Sequence, residues 1–397
     1  MISGHLQIKN GYYYVVLSYR DSAGKRKQPW IKTGLPVKGN KKRAEQLLAE
    51  YRNNYVPPIE KASEGDLSEN MLFSDFMEMW LDIIATQVQP TTFGSYELII
   101  INSIIPYFKE LGVSIAELKP RQLQSYYNML NKRVAPATVI RHHQVIHKAL
   151  KYLVKIDVLA TNPSDKVELP KKPKILPNYY RKEDLEKLFE VSKNHQIGMI
   201  IQLAAFYGLR RGEVMGLKWN AFDFENNTFS IRHTITTARV HGKSVLVQAD
   251  RAKTSSSLRT LPLVNSIKEE LLALKAKQEY NKKLCGNSYN HSNDEYLFVN
   301  QIGDLLKPDS VSRQFQKILS DNGLRHIRFH DLRHSCASLL LSNNVPMKMV
   351  QEWLGHSDMG TTANIYSHLD FSSKVASARV MDSLLQLPGQ EKTAKQA

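Results

Sequence analysis

Tyr207-Gly208-Leu209-Arg210-Arg211-Gly212-Glu213 follows the apolar run Met199–Phe206, and its reading decides how the C-terminal half folds. The apolar run predicts a helix, and Gly208 predicts its end, because glycine takes the left-handed C-terminal conformation without a Cβ penalty. Glu213 then opens the next helix, with Leu217 and Trp219 on its packed side. An arginine at such a junction can leave the core and point into a cleft. A buried Arg–Glu pair that only holds the junction together is the other reading.

Two stretches downstream extend this. His330-Asp331-Leu332-Arg333-His334 leads into Cys336-Ala337-Ser338-Leu339-Leu340-Leu341. On a helix, His330 and Arg333 are three residues apart and share a face. A bidentate guanidinium beside an imidazole that donates or shuttles a proton makes a phosphate clamp; a helix start with a cationic surface is the plainer reading. Gly355-His356-Ser357 comes next, with 23 residues from Arg333 to His356 and 10 more to Tyr366. A lone tyrosine is usually filler. After two cationic clusters in a basic chain, it suggests a nucleophile aimed at a phosphodiester.

The chain is basic as a whole: 54 Lys plus Arg against 38 Asp plus Glu give +16 over 397 residues. An excess of that size points to a polyanion, most often nucleic acid. No apolar run approaches the roughly 20 residues of a spanning helix, and Met1–Asn10 lacks a signal-peptide core, so a soluble intracellular protein is expected. The two cysteines, Cys285 and Cys336, form no CxxC pattern, which argues against a disulfide framework and a thiolate zinc site.

Charge alternates along the chain, with net +7 over 1–60, −7 over 61–117, +9 over 118–175 and +7 over 176–397, as expected of modules with separate basic faces. In the first module, Tyr12–Leu17 predicts a strand, Asp21–Gly24 a turn, Lys27–Thr33 a second strand and Lys41–Tyr51 a helix. Such a sheet, carrying Arg20, Lys25, Arg26, Lys27 and Lys32, could enter a DNA groove; a solvated basic edge is the alternative. A linker follows at Val56–Asn70. Ser74 and Thr91/Thr92 predict helix caps, and Pro120–Leu130 and Thr138–Val154 complete a four-helix module. Arg121, Lys132, Arg133, Arg141, Lys148 and Lys151 are available there to phosphates, while His142 and His143 are expected to be surface residues. Pro170–Lys174 is a basic strap or a plain hinge. From about Leu176 the chain is mostly helical with one β insertion, whose strand candidates are Thr228–Arg239, Ser244–Ala249 and Leu258–Leu263.

Gly208–Glu213, His330–His334, Leu354-Gly355-His356 and Tyr366 together resemble the motif set of the tyrosine recombinases, the phage-integrase family. The resemblance is strong over 176–385 and looser over the helical module. The small N-terminal module is similar to those of integrases from lambda-like phages and conjugative transposons. The resemblance implies a multidomain fold, mainly α with small β elements. It divides the chain into an arm-type DNA-binding sheet-plus-helix domain (1–60), a helical core-binding domain (70–165) and a mixed α/β DNA breaking–rejoining catalytic domain (176–390).

It also implies site-specific recombination of double-stranded DNA at core-type and arm-type sites, with no cofactor and no metal. Arg210, His330, Arg333 and His356 would act on the phosphate, and Tyr366 would be the nucleophile. Lys253, in Lys253-Thr254-Ser255-Ser256-Ser257-Leu258-Arg259, fits the family's hairpin lysine; Lys243, in the turn His241-Gly242-Lys243, competes with it. A homo-tetramer on DNA, accessory excision and bending proteins, and a bacterial cytoplasmic setting are further implications. A type IB topoisomerase-like enzyme and a non-catalytic DNA-binding regulator on the same scaffold are the alternatives, and an RNA-binding module is more distant, since no RNA-motif pattern appears.

Overall fold

The computed structural model describes residues 3–20, 26–54, 67–173, 178–250 and 259–355. The Asp21–Gly24 turn, Lys25, most of the Val56–Asn70 linker, Lys174, Lys253, His356 and Tyr366 lie outside the described residues.

The N-terminal module is an antiparallel sheet of β1 (Ser3–Lys9), β2 (Tyr12–Arg20), β3 (Arg26–Lys27) and β4 (Trp30–Pro36), in which β2 pairs with each of the others. β1 is additional to the predicted hairpin, and the predicted second strand is split at Pro29. Proline has no N–H for a ladder; here its carbonyl accepts from the Leu17 N–H at 3.1 Å. Helix α1 (Lys41–Asn54) covers one face: Ala44 is fully buried, and Leu48 lies so close to Gly4 that a Cβ there would be 3.2 Å away. On the other face the register sets Gln7, Tyr14 and Lys32 in one row and Lys9 beside Tyr12. Lys32 Nζ stands 5.3 Å over the Tyr12 ring, and Tyr14 meets Trp30 edge-on at 6.2 Å.

The second module is helical: α2 (Phe73–Ala85), α3 (Pro90–Ile99), a π turn at Ile100–Ile104, α4 (Ile105–Leu111), α5 (Pro120–Asn131) and α6 (Pro136–Lys155). Neither predicted cap holds. α2 starts one residue before Ser74, because the Phe73 N–H donates to Val113 O at 2.9 Å and pins the start from outside the helix. α3 starts at Pro90, whose fixed φ and missing N–H suit the first helical position, so Thr91 and Thr92 fall inside the helix. Phe73, Phe76, Ile104, Phe108, Ile146 and Leu150 form the buried core. His142 is not a surface residue. It is buried, with Nδ1 2.8 Å from the Tyr126 hydroxyl, and burial lowers its pKa.

The third module begins with α7 (Lys182–Ser192), α8 (Gly198–Tyr207) and α9 (Arg211–Met215). Five strands follow: β5 (Phe222–Asp223), β6 (Thr228–Ile231), β7 (His233–Val240), β8 (Lys243–Asp250) and β9 (Arg259–Pro262). Then come α10 (Asn265–Cys285), α11 (Pro308–Asp321), α12 (Asp331–Ser342) and α13 (Met347–Leu354). The predicted strand Thr228–Arg239 breaks at Arg232, because β6 pairs with β5 and β9 while β7 leaves to form a hairpin with β8. Its two-residue turn has His241 and Gly242 at φ of 50° and 72°, the positive pair that a tight hairpin turn needs.

That hairpin reaches the helical module. Val240 packs against the helical core, and Phe93 meets the His241 ring at 5.5 Å. Gly94 on α3 lies against Arg239 so closely that a Cβ would stand 2.0 Å from its carbonyl oxygen. Glu97, itself buried, accepts from the His241 N–H at 2.8 Å and pairs with His241 Nδ1 at 2.9 Å. Among the described residues, no helix is long and apolar enough to cross a membrane.

Candidate active site

The junction quoted first folds as predicted at Gly208, but the second helix opens at Arg211 rather than Glu213 and ends at Met215, so Leu217 and Trp219 lie beyond it. Gly208 caps α8 at φ 60°, the chain turns through buried Leu209, and Arg210 is the N-cap of α9. Glu213, with no exposed side-chain surface, takes the Arg210 N–H at 2.9 Å and the Arg210 guanidinium at 2.8 Å. A second guanidinium, from Arg259 at the head of β9, reaches the same carboxylate at 3.1 Å. Burial alone would raise the Glu213 pKa. The charges of Arg259 and then Arg210 overcome it and bring the group down to about 2. Arg210 therefore satisfies both readings of the sequence: it holds the junction and remains one-third exposed.

Arg333 arrives from α12. It is 2% exposed, which removes the surface reading, and its Nη1 donates to the Gly208 carbonyl at 2.7 Å. Burial first, and the Arg210 charge second, lower its pKa to about 9. The side chain stays charged at neutral pH, and a buried cation beside another cation is favoured by an incoming anion.

His330 precedes α12, with its ring 5.4 Å from that of His334. The residue as a whole is exposed, yet desolvation of its ring, then the charges of His334, Arg333 and Arg210, lower its pKa to about 4. At neutral pH it is an uncharged ring with a free lone pair. An uncharged imidazole suits the proton-shuttling part of the expected clamp. Asp331 fixes the turn: burial raises its pKa, but bonds from the Arg328 side chain and N–H outweigh this, with Nη2 at 2.7 Å.

The structure thus brings Arg210, His330 and Arg333 together. Lys253, His356 and Tyr366 fall outside the described residues, but the chain leading to two of them is tied to the cluster. β8 ends at Asp250, paired with His233 Nδ1 at 2.6 Å, and β9 resumes at Arg259 on Glu213. α13 ends at Gly355, φ 67°, where a Cβ would be 2.7 Å from Arg259 Nη1. Lys243 stands at the far tip of the β7–β8 hairpin, next to the turn that meets the helical module. Sequence reasoning did not single out Glu213 or Arg259 as site residues. The available signals were the Arg-x-x-Glu spacing of a capping box and a charged residue on the same strand face as buried Leu261. The Cys336 thiol, pushed by burial up to about 12, is inert here.

Residues 178–373 match the model of the phage integrase family, and residues 72–131 match that of the phage integrase N-terminal SAM-like domain. The XerC-like tyrosine recombinase of Caldanaerobacter subterraneus subsp. tengcongensis is 30% identical over 95% of this chain and 98% of its own.

The chain belongs to the phage integrase family.

Among other family members, the ICEBs1 integrase of Bacillus subtilis strain 168 is 26% identical over 96% of this chain and 99% of the relative. The integrase of transposon Tn1549, solved in complex with transposon right end DNA, has a TM-score of 0.62 at 18% identity, covering 79% of this chain and 99% of that one. A lambda integrase dimer bound to a core site has a TM-score of 0.51 at 16% identity over 91% of this chain. These likenesses establish for this integrase the expected fold class, multidomain and mainly helical with small β elements.

Proposed function

We propose that this integrase recombines double-stranded DNA at specific sites, cutting and rejoining strands through a 3′-phosphotyrosyl intermediate to move a mobile element into and out of a chromosome. The observation that carries this reading is the Arg210–Arg333 pair: Arg210 is held by the buried Glu213 carboxylate, Arg333 by the Gly208 carbonyl, and both charges bear on the neutral His330 ring. A phosphodiester in transition needs positive charge set in place beforehand. Arg210 and Arg333 clamp the non-bridging oxygens, and His356 adds a donor. Tyr366 oxygen bonds to phosphorus as the P–O5′ bond breaks. Its proton goes to His330, and Lys253 protonates the departing 5′-oxygen. Rejoining reverses these steps, so the bond energy is conserved and no ATP is needed. Lys253 is preferred to Lys243 because it lies in sequence between Asp250 and Arg259, whose side chain bonds Glu213 in the cluster, whereas Lys243 sits at the hairpin tip.

Residues 1–60 form the arm-site module, 70–165 the core-binding module and 176–390 the catalytic module. The aromatic–basic sheet face with Lys9, Tyr12, Tyr14, Trp30 and Lys32 suits a DNA groove, and the exposed Arg121, Lys132, Arg133, Arg141, Lys148 and Lys151 suit the core-site backbone. A homo-tetramer on two duplexes, with accessory excision and bending proteins, works in the bacterial cytoplasm at the nucleoid. An apolar groove of about 350 Å³ between α7, α8 and α12, lined by Leu185, Phe189, Phe206 and Leu339, would receive an apolar segment from the Ser372–Leu387 stretch.

Tyr366→Phe tests the reading most directly. The variant keeps the ring and loses only the nucleophilic oxygen, so gel shifts on core DNA should persist while covalent protein–DNA product disappears. A phosphotyrosyl peptide mapped to any other tyrosine overturns the assignment.

A further inference from the structure

We propose that Arg259 is a positioning residue for strand cleavage, one that sets Arg210 through Glu213 and at the same time seats the Gly355 turn that leads into His356. The inference rests on the function proposed above and adds a residue to its machinery.

Glu213 is fully buried and holds two arginines with its two oxygens: Oε1 takes Arg210 Nη1 at 2.8 Å, and Oε2 takes Arg259 Nη2 at 3.1 Å together with the Arg210 N–H at 2.9 Å. A buried carboxylate with one cation is a pair. With two on opposite oxygens it is a clamp whose rotation is fixed, and Arg210 takes its direction from that clamp. Arg259 itself is fixed by its strand: the Ile231↔Arg259 pairing places it at the first rung of β9, on the side of buried Leu261, and only 7% of its side chain is exposed.

The second contact is independent of the first. Gly355 ends α13 in the left-handed region, and any Cβ there would meet Arg259 at Nη1 (2.7 Å), Cδ (3.2 Å) and Cζ (3.2 Å). The guanidinium therefore packs against the backbone immediately before His356. One side chain, six residues after Lys253 in sequence, touches both the support of Arg210 and the turn before His356. It does not touch the scissile phosphate in this scheme, so it acts only through its neighbours.

The experiment uses the full-length protein and a nicked core-site substrate that traps the covalent complex in a single turnover. Arg259→Gln should bind the core site within about 2-fold of wild type and cleave it roughly 10- to 100-fold more slowly, the span of coupling within one ion-pair network. Arg259→Lys, which keeps a charge for Glu213, should recover a large part of that loss. In an Arg210→Ala background, adding Arg259→Gln should slow cleavage clearly less than it does in wild type, since the clamp has no Arg210 left to aim and only the contact with the Gly355 turn remains to be lost. Fully additive losses, or an unchanged rate in Arg259→Gln, overturn the proposal. If Arg259→Gln does not fold, Arg259→Lys and its cycle with Arg210→Ala decide the matter by the same criterion. Absence of covalent product from the wild-type protein would instead count against the function proposed above.

Discussion

Glu213 and Glu97 are both buried carboxylates that accept a backbone N–H and pair with a basic side chain, but they differ in what surrounds them. Glu213 lies within one module, between Arg210 and Arg259, and its partners are themselves largely enclosed or fixed by packing. Glu97 lies on a seam between two modules, and its partner His241 is 63% exposed at a hairpin tip. The first arrangement holds a cation in a direction; the second holds two bodies together. Burial of an acid therefore does not by itself mark a catalytic centre. The number of cations around it, and whether a neighbour such as Arg333 remains charged in a dry site, separate the two cases.

The largest effect should come from the same substitution made on each side. Glu213→Gln removes the charge that balances Arg210 and Arg259 and should slow cleavage of a bound half-site by about 10²-fold. The bound is the roughly 10²–10³-fold expected for losing one transition-state donor outright. Glu97→Gln should leave that rate within about 2-fold. Equal losses in a single-turnover assay would erase the distinction. The Glu213 contribution should also show in acid. Glu213 titrates near 2 in the folded state, below its ordinary 4.5, so its contribution to stability is complete above 4.5 and is lost as pH falls toward 2. Melting curves of wild type and Glu213→Gln should converge over that interval.

A mid-sized effect is expected at the seam. Gly94→Val places branched carbon where 2.0 Å is available to the Arg239 carbonyl, so α3 and the hairpin must part while each module keeps its own core. Limited proteolysis should cut near the hairpin faster, and scattering should give a larger radius of gyration, with melting changed little. An unchanged radius would mean the seam re-forms around the added side chain.

The smallest effect concerns pH near neutrality. His330 stays neutral down to about 4, so the proton-acceptor role proposed for it would be intact above that value and lost as pH falls through it. In a His356→Trp background, which removes one imidazole of the site and leaves His330 beside His334, kcat/KM should stay level from pH 8 to 6 and fall only on approaching 4. An acid limb centred near 6.5 would show an ordinary histidine and remove the desolvated-base assignment.

What was legible in the sequence was what neighbouring residues decide. Gly208 ending a helix, Arg210 at the next start, and His330 and Arg333 on one turn all depend on spacing of four residues or fewer. What was not legible depends on partners far along the chain. Ser74 has the chemistry of a cap, but Val113 fixes the helix start one residue earlier. Two adjacent histidines predict surface, yet Tyr126, sixteen residues back, supplies His142 with a buried partner. The contact between Glu97 and His241 spans 144 positions, and neither residue stands out alone. The split of the predicted Thr228–Arg239 strand likewise depends on two different partners, β9 for one half and β8 for the other.

The hairpin tip resting on α3 has a topological consequence. The helical and catalytic modules are joined covalently through the segment after α6 and, by Glu97, Phe93 and Gly94, a second time without a covalent bond. The two modules and their two joints close a ring, so neither module can turn about the covalent segment until the seam opens. The lifetime of one small seam then sets how often the two bodies can change their relative placement.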